Sequence, residues 1–135
     1  MGARTKARKR AMDMLFAADI RGQEPSEILA AEAARVEREP DRRESWEYAR
    51  EIVLGVIEHR PEIDEELSST SRGWTLERMP AVDRAILRIA VWELRHNDEV
   101  PAAVAIDEAV EAAKAYSTED SAKFVHGVLG RLSDR

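Results

Sequence analysis

Cysteine is absent from this sequence of 135 residues. Its absence excludes disulfide frameworks, thiolate zinc sites and cysteine nucleophiles, and it is compatible with a reducing cytosol. Long apolar runs are also missing, since no stretch approaches the ~18 residues of a membrane-spanning helix. The basic N-terminus is not followed by the apolar core of a signal peptide, because Asp13 and Asp19 interrupt that segment. We therefore expect a soluble, cytoplasmic protein.

Motifs of common catalytic and cofactor sites are missing as well. The sequence has no Gly-x-x-x-x-Gly-Lys-Ser/Thr phosphate loop, no Gly-x-Gly-x-x-Gly fingerprint and no Gly-x-Ser-x-Gly elbow. His59, His96 and His126 fall on three different predicted helices or helix ends, without the His-x-x-x-His spacing of a zinc-binding helix. We therefore predict a non-catalytic protein with no metal site and no cofactor.

Strand signals are scarce, whereas helix-forming residues are abundant. Alternating Val, Ile and Thr with Asn-Gly or Asp-Gly turns do not occur, and Ala, Leu, Glu and Arg are frequent between the five prolines. The pattern predicts an all-α fold, a compact bundle of about seven helices in two packed three-helix groupings. The helices are expected at about 5–21, 25–38, 42–59, 61–70, 80–97, 102–115 and 119–132, with a further turn at 75–78.

The stretch 69–73 is the most loop-like segment of the chain, because Ser, Thr and Gly cluster there. It separates an N-terminal helical half, about 1–70, from a C-terminal half, about 74–135. We predict that both halves share one core and form a single domain over 1–135.

Several local features of the C-terminal half give further expectations. Gly127 and Gly130 lower helix propensity, which suggests that another helix crosses closely there. Ser117 begins a pattern that resembles a capping box at the start of the last helix. Trp74 and Trp92 lie among apolar neighbours, which favours a place in the core.

The charge of the chain is unevenly distributed. The net charge is −6, yet residues 1–10 contain no acid and five cations, namely Arg4, Lys6, Arg8, Lys9 and Arg10. The remaining 125 residues carry 16 basic and 27 acidic side chains. Such asymmetry is typical of a basic arm that contacts a polyanion, while the acidic remainder repels a phosphate backbone.

Helical spacing orders these cations into two rows. Arg4 and Arg8 are one turn apart on one face of the first helix, and Lys6 and Arg10 pair in the same way on another. Two such rows match a phosphate track, and Phe16 at the edge of the basic face can stack on an unpaired base. The same residues fit a solvated helix end with Phe16 in the core. Both interpretations remain open on chemistry alone.

A second candidate surface begins at Ser117. Lys123 and Phe124 repeat the combination of a cation and an aromatic ring, and the start of the last helix offers free backbone N–H groups to an anion. Glu119 and Asp120 satisfy those groups themselves and discourage phosphate. An ordinary capped helix with Phe124 in the core is therefore the alternative interpretation.

Four blocks of the sequence resemble those of the NusB family of transcription antitermination factors. They are ARKRA at 7–11 with Leu15 and Phe16 behind it, PAVDRAILRIAVWEL at 80–94, VAIDEAVEAAK at 104–114 and FVHGVL at 124–129. Their order and spacing make the resemblance specific, and it covers nearly the whole chain. The segments 83–88 and 106–109 are the most diagnostic.

The resemblance implies the all-helical NusB-like fold and a role in processive antitermination at ribosomal RNA operons. It implies that the protein binds boxA RNA together with NusE, a small-subunit ribosomal protein, and acts on RNA polymerase with other Nus factors. By position, Arg4, Arg8 and Phe16 fall on the family's RNA-contacting first helix, and Asp120 and Phe124 on the second part of that surface. Asp83 and Arg88 fall in the region that faces NusE.

The sequence departs from the family pattern at two positions. Phe16 replaces a common Tyr, which keeps stacking but removes one hydrogen bond, and His126 replaces the usual Asn before Gly-Val-Leu. Some family members form homodimers that cover the RNA surface, and the sequence leaves this possibility open. Two alternatives to the antitermination role remain. One is an RNA methyltransferase, for which the 135 residues leave no room for a cofactor domain, and the other is a protein-interaction module whose basic arm only solubilises.

Overall fold

A computed structural model describes residues 2–134 of the chain. Within this range the protein forms six α-helices and two short 3₁₀ turns, and no strand. The helices are α1 (Ala3–Arg21), α2 (Pro25–Arg38), α3 (Trp46–Thr70), α4 (Ala81–His96), α5 (Ala102–Tyr116) and α6 (Glu119–Ser133), with 3₁₀ turns at Pro40–Arg43 and Leu76–Arg78. None of the described helices is long and apolar enough to cross a membrane.

The all-α prediction is confirmed, but α3 differs from its expected form. The segments predicted as separate helices at 42–59 and 61–70 form one helix with a kink, where His59 has φ −109° and ψ 15°. Pro61 causes the kink because its ring cannot donate a backbone hydrogen bond and crowds the preceding turn. Ile52 and Val53 before the kink and Ile63 after it are buried, so packing keeps both parts on one core.

Helix α4 is the centre of the molecule. Seven successive residues from Ala85 to Val91 are buried, which matches the wide apolar arc predicted for this segment. The helix packs against α1, α3, α5 and α6. The buried residues of all six helices form one apolar cluster.

The helices fall into two groupings that meet at α4. Helix α3 contacts α1 and α2 in the first grouping, while α5 contacts α4 and α6 in the second. Contacts of α1 and α3 with α4 join the groupings. The N-terminal helix is therefore fixed on the core along its length, and its outer face alone is available to ligands.

The glycine that a neighbouring helix crowds is Gly55 of α3, not a glycine of α6. A Cβ built on Gly55 would lie 1.9 Å from Nε1 of Trp92, so only glycine fits there. A Cβ on Gly130 would meet nothing within 4 Å, and one on Gly127 would meet only the Arg131 side chain at 3.4 Å. The expectation that another helix crosses closely at Gly127 and Gly130 is therefore wrong.

Candidate nucleic-acid interface

Three cations of α1 reach solvent and pair with exposed carboxylates. Arg4 Nη2 lies 3.0 Å from Glu99 Oε2, Lys6 Nζ lies 2.9 Å from Glu44 Oε1 and Lys9 Nζ lies 2.6 Å from Asp13 Oδ2. The hydrogen bond from Lys6 lowers the pKa of Glu44 below its ordinary value. Exposed ion pairs contribute little to stability. A phosphate group can therefore take the place of the carboxylate at each of the three cations.

Arg8 does not share the exposed position of Arg4. Its Nε lies 2.9 Å from Glu93 Oε2 and its Nη1 lies 3.3 Å from Glu108 Oε1. The Arg8 side chain is 11% exposed and that of Glu93 only 1%. The guanidinium of Arg8 is therefore largely withdrawn from solvent, unlike that of Arg4 in the same row. A carboxylate buried on α4 needs a cation beside it, and Arg8 supplies that charge.

Glu93 is the centre of a buried polar cluster that joins three helices. Besides pairing with Arg8, it accepts a hydrogen bond from the Tyr48 hydroxyl, and Asn97 Nδ2 donates to that hydroxyl at 3.0 Å. Burial raises the pKa of Glu93, while the Tyr48 hydrogen bond and the Arg8 charge act in the opposite direction. Burial and the neighbouring Glu93 also raise the pKa of Tyr48. The cluster fixes α1 against α3 and α4.

Arg10 is also engaged in structural contacts. Its Nη1 donates to the backbone carbonyls of Arg42 and Glu44, both at 2.7 Å, and its Nη2 lies 3.0 Å from Glu32 Oε1. The guanidinium carbon lies 5.6 Å from the Trp46 ring centre. Arg10 therefore holds the first 3₁₀ turn against α1. Each predicted cationic row has one exposed member followed by one that is built into the fold.

An aromatic side chain that the sequence reasoning missed lies beside the exposed cations. Tyr116, the last residue of α5, is 40% exposed, and Lys9 Nζ lies 4.9 Å from its ring centre. Tyr116 also lines a groove of about 230 Å³ between α1, α4 and α5, together with Met12 and Ala112. Phe16 is half-buried on α1. The sequence signal that could have identified Tyr116 is its position directly before the Ser-Thr loop at 117–118.

The start of α6 differs in detail from the predicted capping box. Thr118 is the N-cap, and its Oγ1 accepts a hydrogen bond from the backbone N–H of Ser121 at 2.9 Å. The cap therefore begins one residue after Ser117. Asp120 and Lys123 are both exposed on the first turns of this helix. Thr118 follows Tyr116 by two residues, so the start of α6 is close along the chain to the ring that lies beside Lys9.

Phe124 is half-buried against the core and forms an aromatic pair with Trp74. The ring centres are 6.2 Å apart with an edge-to-face tilt of 62°. Trp74 is 52% exposed, so its predicted place in the core is wrong, whereas the buried position of Trp92 is confirmed. Gly73 adopts a positive φ of 86° immediately before Trp74. The tight turn directs the indole onto the surface of α6.

Asp83 and Arg88, the predicted partner contacts, are both buried. Ser121 Oγ donates to Asp83 Oδ2 at 2.7 Å. Arg88 Nε lies 2.9 Å from Asp64 Oδ1, and its Nη1 lies 3.3 Å from Asp19 Oδ2. Neither side chain can touch a partner directly in this conformation. Instead they connect α4 to α6, and α4 to α1 and α3.

Comparison with known proteins places this arrangement in a family. The model of the NusB family matches residues 5–134. The chain belongs to the NusB family. The transcription antitermination protein NusB of Leifsonia xyli subsp. xyli is 61% identical over 98% of this chain and 92% of its own length. NusB of Clavibacter sepedonicus is 56% identical over 98% of this chain and 97% of its own length.

Solved NusB structures have the same fold. NusB of T. maritima superposes with a TM-score of 0.85 at 34% identity, over 99% of this chain and 92% of that chain. A second similar chain comes from a crystal structure of the antitermination factors NusB and NusE in complex with dsRNA. It has a TM-score of 0.82 at 28% identity, over 98% of this chain and 96% of that chain. The NusB family consists of non-catalytic transcription antitermination factors, in agreement with the predicted absence of enzyme activity.

Proposed function

We propose that this protein binds boxA RNA of ribosomal RNA operons together with NusE, in the cytoplasm, and so makes transcription by RNA polymerase processive in a complex with other Nus factors. The observation that carries the proposal is the group of exposed cations on α1 next to an exposed aromatic ring, in a member of this family. Arg4, Lys6 and Lys9 line the outer face of α1, and Tyr116 adjoins Lys9. A complex of NusB, NusE and dsRNA among the similar structures supports it.

The residues of this surface have distinct proposed roles. Arg4, Lys6, Lys9 and Lys123 contact phosphates, because a flexible exposed cation can follow the backbone of a single strand. Phe16, Phe124 and Tyr116 offer rings for base stacking. Asp120 accepts a hydrogen bond from a base amino group, as carboxylates do from cytosine. Arg8 and Arg10, although predicted as RNA contacts, serve by holding α1 in place.

The proposed NusE contact uses the outer surface that covers Asp83 and Arg88, not these two buried side chains themselves. Arg88 fixes the positions of Asp19 and Asp64, and Asp83 fixes the start of α6 through Ser121. Loss of either contact would shift the helix ends that form the outer surface. Both residues therefore act on partner binding indirectly.

The test is a comparison of boxA RNA with a scrambled RNA, each with and without NusE. We expect preference for boxA that strengthens when NusE is present, because the RNA site is shared between the two proteins. The double variant Arg4→Ala, Lys6→Ala should weaken boxA binding about tenfold, since each phosphate contact contributes electrostatic affinity. Arg38→Ala removes a charge from the exposed end of α2 and is the matched control, expected to bind as the wild type does.

Equal affinity for boxA and scrambled RNA, or no binding of either with NusE present, would contradict the proposal. Binding of NusE without any RNA preference would favour a protein-interaction module instead.

A further inference from the structure

His59 and His96 stack face to face on the side of the molecule formed by α3 and α4. Their ring centres are 3.6 Å apart and the rings are within 9° of parallel. Glu62 adjoins the pair, with its Oε2 3.2 Å from His59 Nδ1. One possible ligand atom from each of the three residues lies within 4.8 Å of the other two. The prediction of no metal site relied on sequence spacing, which does not reveal a cluster built from two helices.

The fold brings the two imidazoles together through the register of α3 and α4. Gly55 allows α3 to approach Trp92 of α4 closely. His59 and His96 each lie four residues, or about one helical turn, beyond this crossing point, so they meet one turn further along. The non-helical backbone at His59 and the end of α4 at His96 leave both rings partly accessible.

The surroundings of the pair favour a cation. Glu47, Glu51 and Glu58 line the adjoining surface depression, against one arginine, Arg50, among the described residues. His59 Nε2 lies 3.8 Å from Glu58 Oε2. This excess of carboxylates raises the local concentration of divalent cations.

We propose that His59, His96 and Glu62 form a binding site for a borderline divalent cation, Zn²⁺ in the first place. Two imidazole nitrogens and one carboxylate oxygen are a common zinc ligand set when water takes the fourth position. The 3.2 Å between His59 Nδ1 and Glu62 Oε2 is close to the ligand separation of about 3.3 Å in a tetrahedral site with bonds of about 2.0–2.1 Å. His96 completes the site by turning out of the stack, which its exposed position at the helix end permits.

Binding of the cation would connect the kink of α3 to the end of α4. Stacked parallel rings direct their nitrogen lone pairs side by side, so His96 must rotate before both rings can aim a nitrogen at one cation. The cation also replaces the contact between Glu62 and His59 with two bonds to the metal. The three proposed ligands lie on α3 and α4, whereas the proposed RNA contacts lie on α1, α5 and α6.

The experiment is a titration of the untagged full chain with ZnCl₂, in which isothermal titration calorimetry measures the heat of binding. We expect one equivalent bound with micromolar affinity, and binding at least tenfold weaker for His96→Ala and for Glu62→Gln. His126→Ala, which removes the exposed histidine of α6, is the matched control and should bind as the wild type does. Zn²⁺ should also raise the melting temperature of the wild type and of His126→Ala, but not of His96→Ala.

Substitution of Co²⁺ reports the coordination directly. Intense visible absorption is expected for a four-coordinate site, and the weak bands of the hydrated six-coordinate ion would contradict the proposal. Equal Zn²⁺ affinity in the wild type, His96→Ala and Glu62→Gln would also overturn it. Circular dichroism verifies folding, and Glu62→Gln, at a largely exposed position, provides the decisive comparison if His96→Ala unfolds.

Discussion

Arg8 illustrates how a charged residue near a chain end can be structural rather than functional. It lies between Glu93 and Glu108, and Glu93 also accepts a hydrogen bond from the Tyr48 hydroxyl. Removal of two charges from water costs several kcal/mol, and the cluster is tolerated only because its hydrogen bonds are satisfied together. Loss of one member therefore leaves the others buried without compensation.

Arg8→Ala is expected to destabilise the protein by roughly 3–5 kcal/mol, because it leaves Glu93 without a compensating cation in the interior. Arg4→Ala removes a cation from the same face of α1, but its exposed pair with Glu99 is worth only about 0–1 kcal/mol. Urea unfolding of the two variants measures the difference. If Arg8→Ala unfolds at the same urea concentration as Arg4→Ala, the buried ion pair contributes nothing to stability.

The pH dependence of stability should reveal the raised pKa of Glu93. When the folded-state pKa exceeds the unfolded value of about 4.3, the native state binds the proton more tightly. The stability contributed by this group is fully present below the unfolded pKa, and it is lost as pH rises through the folded pKa. The free energy of unfolding of the wild type minus that of Glu93→Gln should therefore fall as pH rises above about 4.3, the unfolded pKa. Urea unfolding at several pH values gives this difference, and an increase with pH would show that the Arg8 pair outweighs burial.

At the scale of the element, the sequence predicts the bounds of strongly periodic helices well. It predicts poorly how consecutive helices connect and pack. The bounds of α1, α2, α5 and α6 lie close to those observed, because Gly22, the prolines and the apolar spacing mark them. Pro61 suggests a helix boundary, yet buried residues on both sides keep α3 continuous. The close helix approach at Gly55 could not be foreseen, since it depends on which residue of α4 lies opposite.

Two glycine substitutions test this account of helix packing. Gly55→Ala should destabilise the protein by about 1–3 kcal/mol, because the added methyl group overlaps the Trp92 ring and forces α3 away from α4. Gly130→Ala is the matched control, and it should stabilise by about 0.5–1 kcal/mol, because it raises helix propensity in open space. Thermal melting compares the two variants. Stabilisation by Gly55→Ala would show that α3 and α4 are less tightly packed than their contact indicates.

At the scale of the whole molecule, the sequence identifies the basic end but not which of its cations are free. The five cations of residues 1–10 divide into Arg8 and Arg10, which are engaged in the fold, and three others that pair with exposed acids. This division depends on carboxylates and carbonyls contributed by distant segments, from Glu32 to Glu108. Helical spacing within α1 cannot show it. Tyr116 was missed for the same reason, since α5 brings it to Lys9 only in the folded chain.

The division of the cations predicts how salt should affect RNA binding. Each phosphate that a cation neutralises on a single strand contributes about −0.7 to the slope of log affinity against log salt. Arg4→Ala and Lys6→Ala should therefore each make the slope for boxA, measured with NusE present, shallower by about 0.7. Arg38→Ala should leave it unchanged, because the exposed end of α2 lies outside the proposed surface. Fluorescence anisotropy from 50 to 300 mM KCl gives the slopes. If Arg38→Ala changes the slope as much as Arg4→Ala does, the attraction comes from the net charge of the whole protein rather than from the outer face of α1.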